Sequence, residues 1–166
     1  MTTPEMAAAA LPKLPEELLA SSVFLLKRLG YIAKDGALAA YEESGLHPYH
    51  HAILAVLDEG SRETQGAIAD ALGYDRGQLV GLLDELEEHG LVERRRDPDD
   101  RRRHLVQMTP TGKQALEKLR KISQRIEDDF LAPLDEHERR QLHDLLLTLG
   151  RHRCARVARS APSAGA

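Results

Sequence analysis

The apolar residues of the first sixty positions predict two helices separated by a loop. From Glu16 they recur at three- and four-residue spacing, which favours one long first helix with an amphipathic face. Segment 42–46 contains Ser-Gly, which is typical of a loop. Pro48 suits the first turn of a second helix, because that position needs no backbone N–H, and the apolar spacing continues to Gly60.

The middle of the chain predicts two short helices joined by a tight turn. Thr64 is a suitable N-cap for the first, and Gly73 is a suitable C-terminal stop. Asp75 and Gly90 bound the second helix in the same way. Two short helices joined by a glycine-containing turn are typical of a helix-turn-helix.

A β-hairpin with a basic turn is predicted next. Apolar-led residues 91–93 indicate one strand, and the alternation over 104–108 indicates another. Segment 97–100 reads Asp-Pro-Asp-Asp, which favours a turn because proline fixes φ and aspartate side chains bond to the local backbone. The order of elements predicts a mainly α-helical fold containing a winged helix-turn-helix domain with a two-stranded β wing.

Two long helices follow the hairpin. Thr109 and Pro110 suit the N-cap and first residue of one helix, which Pro133 interrupts. Asp135 and Glu138 have the spacing of a capping box at the start of the last helix. The apolar stripes of the terminal helices exceed what a winged domain covers, so we expect N- and C-terminal helices to form the dimerisation region of a two-fold homodimer.

Composition narrows the class of protein. Of the 166 residues 42% are hydrophobic but only 4% are aromatic, so the core must consist mainly of aliphatic side chains. No apolar run approaches the roughly 20 residues of a membrane span. The N-terminus lacks a secretory signal, and Cys154 is the single cysteine, which excludes an internal disulfide. We therefore expect a cytoplasmic protein that does not contact a membrane.

Positive charge is concentrated in one short segment of an acidic chain. The net charge is −4, yet residues 94–103 hold six arginines and three aspartates. A focused basic feature on an acidic body can bind phosphate groups while the rest of the molecule stays away from them. A solvated surface run is the alternative interpretation.

Two segments of this chain resemble the multiple antibiotic resistance regulator (MarR) family of transcriptional regulators. They are ALGYDRGQLVGLLDELEEHGLVER at 71–94 and DPDDRRRHLVQMTPTG at 97–112. The resemblance, clear over about 46–119, implies a repressor that binds a pseudo-palindromic double-stranded operator as a homodimer and that a small aromatic or amphipathic ligand releases. Asp75 departs from the small hydroxyl residue that the family pattern leads us to expect.

The parts of the chain follow from this interpretation. They are a flexible N-terminal arm (1–15), an N-terminal dimerisation helix (16–46), a winged helix-turn-helix DNA-binding domain (47–110), C-terminal dimerisation helices (111–158) and a disordered tail (159–166).

The first group of predicted DNA contacts lies on the second short helix, which fits the width of the major groove. Its outward face near the N-terminus comprises Asp75, Arg76, Gly77, Gln78, Val80 and Gly81. Arg76 can donate two hydrogen bonds to guanine, and Gln78 can pair with adenine. The two glycines lower helix propensity. Either close approach to DNA or packing against a neighbouring helix would explain their presence.

The second group of predicted contacts lies in the wing. Arg101 and Arg102 sit at its tip, where they can enter the narrow minor groove. The resemblance implies that Arg102 reaches DNA and that Asp100 orients it, while a role in the turn alone is the alternative. Phosphate contact needs charge rather than register. We predict it for Arg94, Arg95, Arg96 and Arg103, and for the helix start at Thr64 and Gln65.

The remaining candidates concern sensing. Tyr31, Tyr49 and His51 are candidate effector-pocket residues by their position on the first two helices, with ordinary packing as the alternative. His47 and His51 have a spacing that can share zinc, but no third ligand is evident, so we predict no metal site. A redox role for Cys154 is a further alternative, as its neighbouring arginines would favour the thiolate.

No enzymatic apparatus is evident. The sequence contains no phosphate loop, nucleophile elbow or dinucleotide fingerprint, so we expect neither catalysis nor a cofactor. A winged-helix module that binds an acidic protein partner is the alternative to a DNA-binding regulator.

Overall fold

The computed structural model describes residues 14–60 and 63–160, without the side chains of 154–160. Positions 1–13 of the predicted arm, positions 161–166 of the predicted tail and the side chain of Cys154 lie outside the described residues. The chain divides between Arg120 and Lys121 into two compact units.

Seven helices and three strands occur among the described residues. In chain order they are α1 Glu16–Leu19, α2 Ser22–Glu42, α3 Pro48–Gly60, β1 Glu63–Thr64, α4 Gln65–Leu72, α5 Arg76–Glu88, β2 Val92–Arg96, β3 His104–Met108, α6 Pro110–Phe130 and α7 Glu136–Ser160. The predicted mainly α-helical fold with a small wing is confirmed. None of the described helices is long and apolar enough to cross a lipid bilayer.

The prediction of one unbroken first helix was wrong. Helix α1 ends at Leu19, and α2 begins at Ser22. Between them Ser21 has an extended backbone, and its hydroxyl accepts a hydrogen bond from the N–H of Phe24 at 3.2 Å. A serine side chain that satisfies an unpaired N–H of the next turn favours a new helix start over continuation.

Aliphatic side chains from the helices and the sheet form the core of the first unit. The largest fully buried ones are Ile53, Leu54, Leu57, Ile68, Leu79, Leu83, Leu86, Val92, Val106, Leu116 and Leu119. Leu116 and Leu119 belong to α6, so the compact unit that holds the wing includes the first half of this helix as far as Arg120.

Strands β2 and β3 form the predicted two-stranded wing, and a short strand β1 extends it to an antiparallel sheet in the order β1-β3-β2. The added strand β1 has only two residues, too few to show an alternating pattern in the sequence. Thr64 pairs with Leu105 in this strand and also caps α4, since its Oγ1 accepts the N–H of Ala67 at 3.1 Å. The sheet is therefore anchored directly to the first helix of the helix-turn-helix.

Thr109 fastens the start of α6 to the segment between α5 and β2. Its N–H donates to the carbonyl of Leu91 at 3.0 Å, and its hydroxyl donates to the carbonyl of Gly90 at 2.7 Å. The same hydroxyl accepts the N–H of Gly112 at 3.0 Å. Gly112 is buried against Leu91 and Met108, where the absence of a side chain permits this close approach.

The second unit contains the end of α6 and α7. The predicted capping box is confirmed, because Asp135 Oδ1 accepts the N–H of Glu138 and Glu138 Oε2 accepts the N–H of Asp135, both at 2.9 Å. Leu145 and Leu149 of α7 are 65% and 53% exposed. The described part of the chain leaves these apolar side chains exposed.

Candidate nucleic-acid interface

Helix α5 presents one buried face and one free face. Leu79, Leu83 and Leu86 are buried in the core. Asp75 caps the helix, since its Oδ1 accepts the N–H groups of Gly77 and Gln78 at 2.9 and 3.2 Å. The carboxylate predicted as a DNA contact is thus engaged at the helix start, where the helix dipole favours a negative charge.

The outward face of α5 has hydrogen-bonding groups free for a partner. Arg76, Gln78 and Val80 are all exposed. Within the described part of the chain, the side chains of Arg76 and Gln78 make no hydrogen bond or ion pair. The structure therefore leaves both predicted base-reading side chains available.

Neither glycine of α5 lies against a side chain of a neighbouring helix among the described residues. A Cβ at Gly81 would meet no atom within 4 Å, and one at Gly77 would meet only Asp75 Oδ1, at 3.1 Å. Each glycine costs about 1 kcal/mol of helix stability relative to alanine. Among the residues that the structure describes, packing against a neighbouring helix therefore accounts for neither glycine.

The wing tip is ordered by its own aspartates. Asp97 Oδ1 accepts the N–H of Asp99 at 2.9 Å, and Asp100 Oδ1 accepts the N–H of Arg102 at 3.0 Å. The Nε of Arg102 lies 3.5 Å from the same oxygen, and the Nε of Arg103 lies 3.4 Å from Asp100 Oδ2. Asp100 thus shapes the turn and also directs Arg102, whose side chain is 94% exposed.

Arg94, which was predicted to contact phosphate, pairs with two acidic residues of α5. Its Nε and Nη2 donate to Glu87 Oε2 at 2.9 and 2.6 Å, and its Nη2 lies 2.6 Å from Asp84 Oδ1. Its side chain is only 21% exposed. Hydrogen bonding between them lowers the pKa of Glu87 and raises the pKa of Arg94. Arg94 fixes β2 to α5, so we exclude it from the phosphate-contacting set.

The remaining wing arginines face solvent. Arg95 pairs with Glu93 at 2.7 Å and is 74% exposed. Arg96 and Arg101 are exposed and pair with no acid among the described residues. The available positive charge of the wing therefore lies at and near its tip.

A buried histidine that the sequence analysis did not single out connects α3 to α5. His50 is 3% exposed, and its Nε2 lies 2.9 Å from Glu85 Oε2 without the geometry of a directed hydrogen bond. Its Nδ1 accepts the N–H of His47 at 3.1 Å. Because His50 precedes Ile53, Leu54 and Leu57 on one apolar stripe, helical spacing alone could have identified it as buried.

Burial of two histidines should make the fold acid-sensitive. Burial lowers the pKa of His50 below 6.5, opposed by Glu85 and aided by His47 and His89, and burial together with the charge of Arg120 lowers the pKa of His51. The unfolded chain then binds protons that the folded chain does not, so stability is complete above the unfolded pKa and decreases as pH falls below it. We expect the free energy of unfolding in urea to fall from pH 7.5 to 5.5.

A substitution tests whether the buried His50 causes this loss of stability at acidic pH. His50→Gln should flatten the pH dependence, because it removes a buried imidazole whose pKa is lowered. Glu87, whose pKa is lowered, titrates below this window in both states. An unfolding free energy that stayed constant or rose between pH 7.5 and 5.5 would contradict the interpretation.

The three candidate effector residues do not form one cluster. The ring of Tyr49 packs on His47 and Tyr74, with centroid distances of 4.6 and 5.3 Å. His51 instead bonds through Nδ1 to the hydroxyl of Tyr41, and Tyr31 is 62% exposed on α2. A surface cavity of about 350 Å³ at the junction of α3, β3 and α6 is lined by none of the three.

The metal alternative has no geometric support among the described residues. His47 precedes α3 rather than sharing a helix face with His51, and its Nδ1 accepts the N–H of Tyr49 at 3.2 Å. No group of three metal-ligating side chains is assembled in the described ranges.

Comparison with known proteins agrees with this geometry. The model of the MarR family matches residues 44–103. A Thauera aromatica protein assigned to transcriptional regulation of the hcr operon is 35% identical over 131 residues, which are 74% of this chain and 79% of that protein.

Solved structures of the repressor CouR are similar over most of the chain. CouR bound to a 23-mer DNA duplex has 31% sequence identity and a TM-score of 0.77, covering 84% of this chain and 99% of that one. CouR from Rhodococcus jostii RHA1 bound to p-coumaroyl-CoA has 26% identity and a TM-score of 0.70, covering 80% and 93%. With its helix-turn-helix, its wing and these relatives, the chain belongs to the MarR family of transcriptional regulators, which are not enzymes.

Proposed function

We propose that this regulator is a homodimeric repressor that binds a pseudo-palindromic double-stranded operator in a sequence-specific manner. The observation that carries the proposal is the free face of α5 beside a wing whose Arg102 is 94% exposed and held by Asp100. One compact unit therefore presents both the side chains that can read the major groove and the positive charge of the wing. The DNA-bound structure of the 31% identical CouR supports this docking.

In the proposed complex, α5 lies in the major groove and the wing tip in the adjacent minor groove. Arg76 donates to the O6 and N7 of a guanine, and Gln78 pairs with an adenine. Arg102, and with it Arg101, enters the minor groove, where the negative potential is strongest. Phosphate contact remains proposed for Arg95, Arg96, Arg103, Thr64 and Gln65.

Dimerisation is proposed from apolar side chains that the single chain leaves uncovered. On α2, Val23 is 78% and Ile32 is 52% exposed, and α7 adds Leu145 at 65%. Such faces on long helices are normally covered by a second copy in a two-fold arrangement. Two copies would set the recognition helices about 34 Å apart, one turn of B-DNA.

We also propose release by a small aromatic or amphipathic ligand. The p-coumaroyl-CoA complex of CouR supports a ligand of this class. A ligand that changes the separation of two recognition helices weakens several contacts at once, because binding to both half-sites requires one fixed spacing. Adding p-coumaroyl-CoA to the protein–operator complex tests this proposal, and undiminished operator binding at saturating compound would remove that compound as the effector.

Selection of duplexes from a random pool, followed by fluorescence anisotropy, tests the proposed DNA binding. The selected sites should share an inverted repeat. Arg76→Ala should relax discrimination at one base position per half-site by about 1–3 kcal/mol. The control Arg125→Ala removes an exposed arginine from the second unit and should leave base preference unchanged. A selection that enriches no sequence, with no duplex binding at low salt, would contradict the proposed function.

A further inference from the structure

We infer that Val80 reads the 5-methyl group of a thymine in each half-site, and that Gly77 and Gly81 keep the surface around it low enough for the base edge to reach it. This inference rests on the proposed function, since it specifies part of the major-groove contact. It assigns base discrimination to an apolar side chain in addition to Arg76 and Gln78.

Val80 lies on the outward face of α5. It is 42% exposed, although its neighbours Leu79 and Leu83 are buried. A helical side chain leans over the turn that precedes it, so Val80 lies over Gly77. Gly77 has no side chain, and a Cβ at Gly81 would meet no atom within 4 Å, so Val80 is the apolar side chain between two glycines on this face.

The helix composition at this point is unfavourable for folding alone. Glycine and the β-branched valine are weaker helix formers than alanine, and all three positions are exposed, so core packing does not select them. A single exposed valine needs no explanation in general. A valine between two exposed glycines on the groove-facing side of a recognition helix is instead suited to close approach of a flat partner.

The charges around Val80 also suit a nucleic acid. One turn before it, Arg76 is free among the described residues. One turn after it, Asp84 would repel phosphates, but its Oδ1 lies 2.6 Å from the Nη2 of Arg94. The pairing draws Asp84 towards Arg94 of β2 and offsets part of its charge, since Arg94 is shared with Glu87, so the carboxylate beside Val80 is not unpaired.

The major groove offers one apolar group that fits this surface. Among the four bases only thymine carries a methyl group at the groove edge, and apolar side chains contact it. Burying one methyl group against Val80 corresponds to about a fourfold gain in affinity per half-site. Uracil has the same hydrogen-bonding groups as thymine and lacks only this methyl group.

The test replaces each thymine of the selected operator with uracil, one symmetric pair at a time, and measures the dissociation constant by anisotropy. For the wild-type protein we expect one pair whose replacement weakens binding about fifteenfold, the product of two half-sites. Val80→Ala should weaken binding to the thymine operator and should respond to that replacement much less. Uracil in the flanking sequence is the DNA control.

Gly81→Ala provides an independent measurement. It adds a methyl group where the single chain has open space, so the protein should fold at least as stably but bind the operator about tenfold more weakly. Specific operator binding with no uracil effect, or with the same effect in the wild type and Val80→Ala, would overturn this inference and leave the proposed function intact. Absence of any specific duplex binding would overturn both.

Discussion

Replacing Arg102 with alanine is expected to lower operator affinity by at least about a hundredfold. Hydrogen bonds to charged groups contribute about 1.5–3 kcal/mol each, and a dimer loses two copies of the contact. Affinity for unrelated duplexes should fall similarly, because a minor-groove arginine responds to potential and shape more than to base identity. The slope of log affinity against log salt should also become shallower.

Folding should be unaffected by this substitution, because the Arg102 side chain is 94% exposed. Unfolding in urea checks this point, and Arg125→Ala is the charge-matched control for DNA binding. Asp100→Asn separates the two roles of the acid, since it keeps an oxygen for the N–H of Arg102 but removes the charge near its Nε. Unchanged duplex affinity in Arg102→Ala would show that the wing tip does not touch DNA.

Gly112→Ala is expected to be the most damaging single methyl addition to the fold. An added Cβ would overlap the carbonyl oxygen of Leu91 and lie 2.8 Å from Met108 Cγ. The oxygen belongs to the backbone that accepts the N–H of Thr109, so it cannot move without breaking that hydrogen bond. Overpacking of this kind costs about 1–3 kcal/mol or more. Urea unfolding should show a loss at or above the upper end of that range.

Glycine-to-alanine substitution at Gly81 should raise the free energy of unfolding, whereas at Gly112 it lowers it. Gly81→Ala meets no atom within 4 Å, so it should raise the free energy of unfolding by about 0.5–1 kcal/mol. The pair therefore distinguishes steric overlap from a general effect of removing glycine. Equal stability of Gly112→Ala and the wild type would mean that α6 does not start against Leu91, in the segment between α5 and β2, as described.

Local signals in the sequence predicted most of the fold. Thr64, Asp75 and Asp135 were predicted as caps from their type and position, and each accepts the expected backbone N–H. Such signals act within one turn of chain and so are readable without tertiary structure. The break before Ser22 was missed because the apolar spacing continues across it, while one serine hydroxyl decides the boundary.

Pairings over longer distances could not be predicted in the same way. Arg94 was grouped with the other wing arginines because the sequence shows only a run of like charge. Its actual partners are Glu87 and Asp84 on the preceding helix, and their position depends on how β2 packs on α5. The link from His50 to Glu85 similarly joins two helices that meet only in the folded unit. Residue type identified the charged side chains that can contact DNA. Tertiary packing determines which of them pair within the protein and which remain free.

Homodimeric binding to the operator is tested most directly by the mass of the complex formed with the selected duplex, measured by sedimentation velocity at two salt concentrations. Homodimeric binding predicts two chains of 18.5 kDa on one inverted repeat, and dissociation as salt increases. A monomer that sediments apart from the duplex at low salt, or one chain bound to a single half-site, would contradict it.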